Sequence, residues 1–86
     1  MFIIAYDISD DKERARVVKC VEQCCRRVQK SVWIGELSSH ALSKLRRKLE
    51  ALDLQTGMVD IWEARATPRR IGGSEPFPEL EACHVV

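Results

Sequence analysis

The sequence predicts an α+β domain, a ferredoxin-like βαββαβ sandwich, on three observations. The chain opens on an apolar run at residues 2–7. Two stretches with helical periodicity follow, over residues 11–25 and 39–52. Segments rich in β-branched residues, at 27–37 and 58–64, come after each of them, so the order reads strand, helix, strand pair, helix, strand. A chain of 86 residues holds one modest core and not two.

In the first segment Phe2, Ile4 and Tyr6 alternate with Ile3, Ala5 and Asp7. Both sets are largely apolar, which marks a central strand covered on both faces. Asp7 falls at its C-terminal end, where ligands gather in sheets with crossover helices. The first helix is expected from about Asp11 to Cys25. Asp10 with Glu13 three residues on has the form of a capping box, and Asp11 adds negative charge where the helix dipole favours it. Val17, Val18, Val21, Cys24 and Cys25 form the apolar stripe, with Lys12, Arg16, Lys19 and Gln23 roughly opposite. Arg14 stands at the edge of the stripe in the first turn, from where it can lean toward the strand end that carries Asp7.

Further along, Val28, Val32 and Ile34 favour extended structure, while Gln29, Ser31 and Trp33 share the other face. Residues 27–37 read as two short strands or as one bent strand, since no Asn-Gly or Asp-Gly fixes a turn. Ser38 or Ser39 caps the second helix, which extends to about Leu52 and buries Ala41, Leu42, Leu45, Leu49 and Leu52. Lys44, Arg46, Arg47, Lys48 and Glu50 face solvent, a pattern that serves solubility more often than binding. Residues 53–57 are a loop, and 58–64 a strand with Val59 and Ile61 inward and Asp60 and Glu63 pointing the other way. Trp62 there needs a partner surface or a ligand. Pro68 breaks regularity, and residues 69–71 are the candidate for a short extra C-terminal strand before Gly72 and Gly73. The domain is thus placed at 1–73, leaving 74–86 as an acidic, Pro-containing extended tail.

Right-handed crossovers put both helices on one face of such a sheet. The opposite face, apolar in the first strand, has nothing left in so short a chain to cover it. A symmetric sheet-to-sheet homodimer is therefore expected, in which Asp7 approaches its own copy across the two-fold axis.

The net charge of +1 conceals an asymmetry. Residues 1–71 carry 14 basic and 10 acidic side chains, a net of +4, and Glu75, Glu79 and Glu81 give the tail −3. A mildly basic body is compatible with nucleic acid. Of the four cysteines, Cys20, Cys24 and Cys25 crowd one segment and Cys83 lies far away. No second Cys or His pair gives zinc-ligand spacing, so they read as small apolar thiols of a reducing compartment. No apolar run approaches the roughly 20 residues that span a bilayer, and the start of the chain has no basic leader. The expectation is a cytoplasmic protein without membrane contact.

Two segments carry a resemblance to a known family. Residues 6–11, Tyr-Asp-Ile-Ser-Asp-Asp, are followed by Arg14, Arg16 and Val17; residues 27–37 then read Arg-Val-Gln-Lys-Ser-Val-Trp-Ile-Gly-Glu-Leu. In this order and spacing, and over about residues 1–64, the chain resembles the CRISPR-associated Cas2 family, the small endoribonuclease-type component of spacer acquisition. The resemblance implies a ferredoxin-like homodimer with a metal-dependent phosphodiesterase site at the subunit interface. It implies that Asp7 and its symmetry mate hold Mg²⁺, and that Tyr6, Arg14, Arg16, Arg27 and Ser31 are the other site residues. Trp33 stands where the family usually has phenylalanine. The region beyond Gly73 has no recognisable counterpart.

The chemistry agrees with that assignment. Mg²⁺ takes oxygen ligands, keeps several waters, and binds through one or two carboxylates plus substrate phosphate. Arginines at 14, 16 or 27 would hold phosphate oxygens in bidentate contacts. With His40 and His84 distant in sequence, the expected nucleophile is a metal-activated water rather than one deprotonated by histidine. Each residue also has a plainer reading. Tyr6 serves as a core aromatic with its hydroxyl at the rim, Arg14 pairs with Asp10 or Asp11, Arg16 is solvated, Ser31 satisfies backbone groups at a bulge, and Trp33 packs at an interface.

Three functions are open on the sequence. The first is a metal-dependent endonuclease acting on single-stranded RNA or duplex DNA. The second, implied by the family's integration role, is a non-catalytic dimeric adaptor that bridges the CRISPR integrase. There Lys44 to Lys48, Arg65, Arg69 and Arg70 would hold duplex DNA, and the acidic tail would dock on the integrase. The third is a toxin-like ribonuclease of the same fold, which would lack the second motif.

Overall fold

The computed structural model describes residues 1–80 and the backbone of 82–83. The elements are β1 (Phe2–Asp7), α1 (Asp11–Val21), β2 (Arg26–Gln29), β3 (Val32–Leu37), α2 (Ser39–Ala51), β4 (Met58–Glu63) and β5 (Ala82–Cys83). The four main strands form an antiparallel sheet in the order β2-β3-β1-β4. This is the ferredoxin-like arrangement, with β1 central as its apolar composition requires. Residues 27–37 resolve into two strands, with a bulge in β2 between Arg27 and Gln29. Among the described residues no helix is long and apolar enough to cross a membrane.

Register decides which face each side chain takes, because successive strand residues point to opposite sides. Ile4 stands opposite Trp33 on one side and Ile61 on the other, and Tyr6 opposite Val59. These side chains meet Val17 and Val21 of α1 and Ala41, Leu45 and Leu49 of α2 in one core. Ile3 stands opposite Ile34 and Trp62, and Ala5 opposite Val32 and Asp60, on the other face.

Two expectations are corrected by this register. Trp33 belongs to the helix-covered core and is only 7% exposed, so it does not pack at an open surface. Glu63 stands opposite Phe2 and shares its face rather than that of Asp60; alternation forbids Asp60 and Glu63 from pointing the same way.

The helices follow their caps. In α1 the Asp10 carboxylate accepts from the Glu13 N–H at 2.8 Å, but the Glu13 side chain turns inward instead of closing the box. The helix stops at Val21 rather than Cys25. Cys24 and Cys25 then extend its apolar stripe from a turn, and the buried Cys25 sulfur lies where any Cβ on Gly35 would sit, 2.8 Å from it. The Ser38 hydroxyl caps α2 by accepting from the Ala41 N–H at 3.1 Å, and Asp53 leaves the helix with φ +51°.

The C-terminal segment also departs from expectation. Residues 69–71 form no strand; the extra strand is β5, which pairs in parallel with β3 through Glu36 and Leu37. Nor is the segment after Gly73 a free tail. Arg70 Nη2 donates to the Val28 carbonyl at 2.8 Å, its Nη1 donates to the carbonyls of Glu75 and Pro76, and its guanidinium stacks on the Phe77 ring at 5.6 Å. A cleft of about 670 Å³ separates this strap from Ile3, Val32 and Ile34. Ile34 is 1% exposed although it lies outside the core between sheet and helices. The chain thus covers part of its second face itself. Trp62 and Met58 remain 46% and 61% exposed. Glu81 and His84 of the tail, and the side chain of Cys83, lie outside the described residues.

Candidate functional site

The β1 strand ends by delivering two neighbouring side chains to opposite sides of the sheet. Tyr6 points into the helix layer and is 6% exposed. Its hydroxyl donates to the Lys30 carbonyl at 3.3 Å and accepts from the Trp33 indole N–H at 3.4 Å. The Tyr6 N–H donates to the Ser31 carbonyl at 3.1 Å, so Ser31 contributes its backbone to the end of the sheet. Asp7 points the other way and is exposed. It stands opposite Met58, with Asp60 two residues on in the same row as its diagonal neighbour.

Arg14 reaches the strand end from α1, as its position at the edge of the stripe implies. Its Nη1 donates to the Ile8 carbonyl at 3.1 Å, and its Nη2 pairs with the Asp11 carboxylate. Arg27 lies over the Trp33 ring, 5.0 Å from its centroid. These residues border a hollow of about 500 Å³ shared by Tyr6, Asp11, Arg14, Lys19, Arg27 and Lys30. With Glu22, which also lines it, the hollow sets four cations against two carboxylates, a net positive lining that suits phosphate oxygens.

The structure therefore divides the expected site residues. Tyr6, Arg14 and Arg27 come together around the hollow, while Trp33 lies in the core beneath Arg27 and does not line it. Ser31 adjoins them through its carbonyl. Arg16 is exposed on α1 and acts on its neighbour Glu13 through its charge. Asp7 lies outside the hollow, on the other side of the sheet at the same strand end.

As a metal ligand, Asp7 offers an exposed carboxylate with Asp60 as the next acid on its face. Among the described residues no three His, Cys, Asp or Glu side chains are gathered to hold an ion. This donor set fits Mg²⁺ only in its usual open form, in which one or two protein carboxylates leave the remaining positions to water and substrate phosphate.

Sequence reasoning missed Glu13, a buried carboxylate only 5% exposed. Its Oε2 accepts from the Gln55 N–H at 3.0 Å, and its Oε1 accepts from the N–H and hydroxyl of Thr56 at 3.3 and 3.1 Å. The Gln55 amide above all, helped by both Thr56 donors and the charge of Arg16, holds its carboxyl below the ordinary value, although burial pushes the other way. The signal was present as an acid at a helix position flanking the apolar stripe, but the capping-box pattern explained it too readily.

Comparison with known proteins agrees with the motifs. The family model described as CRISPR associated protein Cas2 matches residues 1–65. A Thermus thermophilus protein named CRISPR-associated endonuclease Cas2 2 is 32% identical over 87 residues, covering all of this chain and 96% of its own length. One from Rhodospirillum rubrum, named CRISPR-associated endoribonuclease Cas2 4, is 37% identical over 67 residues. One from Synechocystis, also named an endoribonuclease Cas2, is 41% identical over 56 residues. The matches with these last two span 54% and 60% of their lengths. The crystal structure of a hypothetical protein, TT1823, from Thermus thermophilus superposes with a TM-score of 0.76 at 33% identity, covering 91% of this chain and 95% of that one.

The fold of this chain thus matches a solved structure at 33% identity, and its first 65 residues match the family model. The chain belongs to the CRISPR-associated Cas2 family.

Proposed function

We propose that this chain is an endonuclease of CRISPR spacer acquisition that cuts a phosphodiester backbone at the C-terminal end of β1. The supporting observation is the juxtaposition there of an exposed carboxylate, Asp7, with a basic hollow on the opposite side of the same strand end. A nucleic-acid strand crossing that end meets the cations of Arg14, Arg27 and Lys30 on one side and Asp7 on the other. Arg14 and Arg27 hold phosphate oxygens, and Tyr6, locked by the Lys30 carbonyl, keeps the hollow's wall in place. Asp7, joined by its copy in a symmetric homodimer, would hold Mg²⁺, which would polarise the scissile phosphate and activate a water. The names of the relatives, endoribonuclease for some and endonuclease for another, leave both single-stranded RNA and duplex DNA as substrates to assay.

The test is cleavage of single-stranded RNA and duplex DNA by purified protein, with Mg²⁺ and with chelator, for the wild type and Asp7→Ala. Metal-dependent cutting that the substitution abolishes supports the proposal. Cutting that survives it with undiminished rate sinks the role of Asp7. The dimer is tested by sedimentation equilibrium. A monomer mass at micromolar concentration counts against the shared site, and a dimer that Trp62→Glu dissociates supports packing through the open face.

A second reading, the non-catalytic adaptor, draws on the same donor set: an exposed Asp7 with only Asp60 as the next acid on its face, among the described residues, is little machinery for hydrolysis. In that reading Lys44, Arg46, Arg47, Lys48, Arg65 and Arg69 contact duplex phosphates. Arg70 drops out of this set, because its guanidinium is engaged within the chain. Spacer acquisition that survives Asp7→Ala favours the adaptor. Undiminished integrase binding after deletion of residues 74–86 would remove the tail from that docking.

A further inference from the structure

The buried carboxylate of Glu13 has no part in binding or cleavage as described above, yet three donors converge on it. All three come from one turn, residues 55–56, which leads directly into β4. The next residue, Gly57, lies hard against Ile8: a Cβ built on it would stand 2.4 Å from Ile8 Cγ1 and 2.9 Å from its Cβ and Cγ2. Met58 then pairs with Asp7. Ile8 is 6% exposed, and its carbonyl accepts from Arg14, the residue after Glu13. The exit of β1 is therefore gripped from two sides by adjacent residues of α1. Arg14 holds Ile8 directly, and Glu13 holds the turn that presses on it.

We propose that Glu13 is a positioning residue for Asp7: by fixing the Gln55–Thr56 turn it seats Gly57 on Ile8 and so sets where the Asp7 carboxylate stands. The functional meaning of this placement rests on the reading of Asp7 as a cation ligand. Outer residues that orient a ligating group matter because a ligand must be held to its geometry by its surroundings. A charged acceptor suits the task better than a neutral one, since hydrogen bonds to an ionised group are shorter and stronger. Glutamine in its place keeps one carbonyl acceptor but turns an NH₂ group toward N–H and hydroxyl donors, so at least one of the three bonds is lost.

The experiment compares wild type, Glu13→Gln and Asp7→Asn by amide-resolved NMR, with far-UV circular dichroism to verify folding. In folded Glu13→Gln the amide resonances of Asp7, Ile8 and Met58 are expected to move together with those of Gln55, Thr56 and Gly57. Mn²⁺ serves as the probe. Its broadening of the Asp7 amide is expected to need about tenfold more ion in Glu13→Gln, the size typical of losing an outer partner. Displacements confined to residues 13 and 55–57, with an unchanged Mn²⁺ midpoint, overturn the proposal. If Mn²⁺ leaves Asp7 of the wild type unbroadened, the cation reading fails, while the movement of Asp7 and Ile8 resonances still decides what Glu13 does. Should Glu13→Gln not fold, Thr56→Val removes only the hydroxyl donor; the same resonances must then move, by less, and their stillness overturns the proposal.

Discussion

Trp33 shows how far one side chain's role depends on its face. In the second motif it stands where the family usually has phenylalanine and reads as an aromatic packed at an interface. Buried opposite Ile4, with its N–H on Tyr6 and Arg27 above its ring, it instead ties the hollow's lining to the core. Trp33→Ala is expected to destabilise the fold by about 3–5 kcal/mol, as large aromatic truncations do, measured by urea unfolding. Trp33→Phe keeps the packing and loses only the indole donor, so a small effect, about 1 kcal/mol, is expected. Glu13 makes the opposite case, a charge placed inside. Its folded value lies below the ordinary 4.5, so its stabilisation is complete above the unfolded value and disappears as pH falls through the folded one. Unfolding midpoints of wild type and Glu13→Gln should therefore differ most above pH 4.5 and converge below it.

At the scale of elements, local signals and tertiary packing contribute in different places. The start of α2 is local: Ser38→Ala should cost about 1 kcal/mol, read from the denaturation midpoint at constant slope. The end of α1 is tertiary, because Cys25 must leave the helix to pack against the bare backbone of Gly35. Arg70 anchors the strap beside the pairing of β5 with β3. Arg70→Ala removes the bond to the Val28 carbonyl and the contact with Phe77, so cleavage within residues 68–80 should quicken about tenfold while global unfolding stays unchanged. Limited proteolysis beside chemical denaturation checks both halves.

Over the whole molecule, most of the architecture was legible in the sequence because it rests on periodicity. The apolar run of β1 announces a central strand, and Leu45 and Leu49 a helix laid on a sheet. The motif around Asp7 and the one from Arg27 to Leu37 pointed to the strand end proposed above as the site. What the sequence hid depends on pairing. The bulge in β2 and the partners of β3 put Trp33 inside, and no local pattern announces a register. The strap was hidden for the same reason: Pro76, Pro78 and the glutamates look like a solvated tail, yet the contact of Arg70 with Phe77 and the pairing of β5 with β3 hold it down. This changes the expectation for assembly, since a partner copy needs to cover only what the strap leaves bare.

The placement of the two indoles has a spectroscopic consequence. Trp33 sits in a dry, cation-capped environment, and Trp62 stands at the edge of the open face. Iodide added to the native protein should quench Trp62 and spare Trp33, giving a downward-curving Stern–Volmer plot that becomes flat in Trp62→Phe. Each half of the emission then follows a different event: the blue component reports loss of the core, and the red component shifts and gains protection when anything settles on the open face. The protein thus carries one fluorophore for its folding and another for its company.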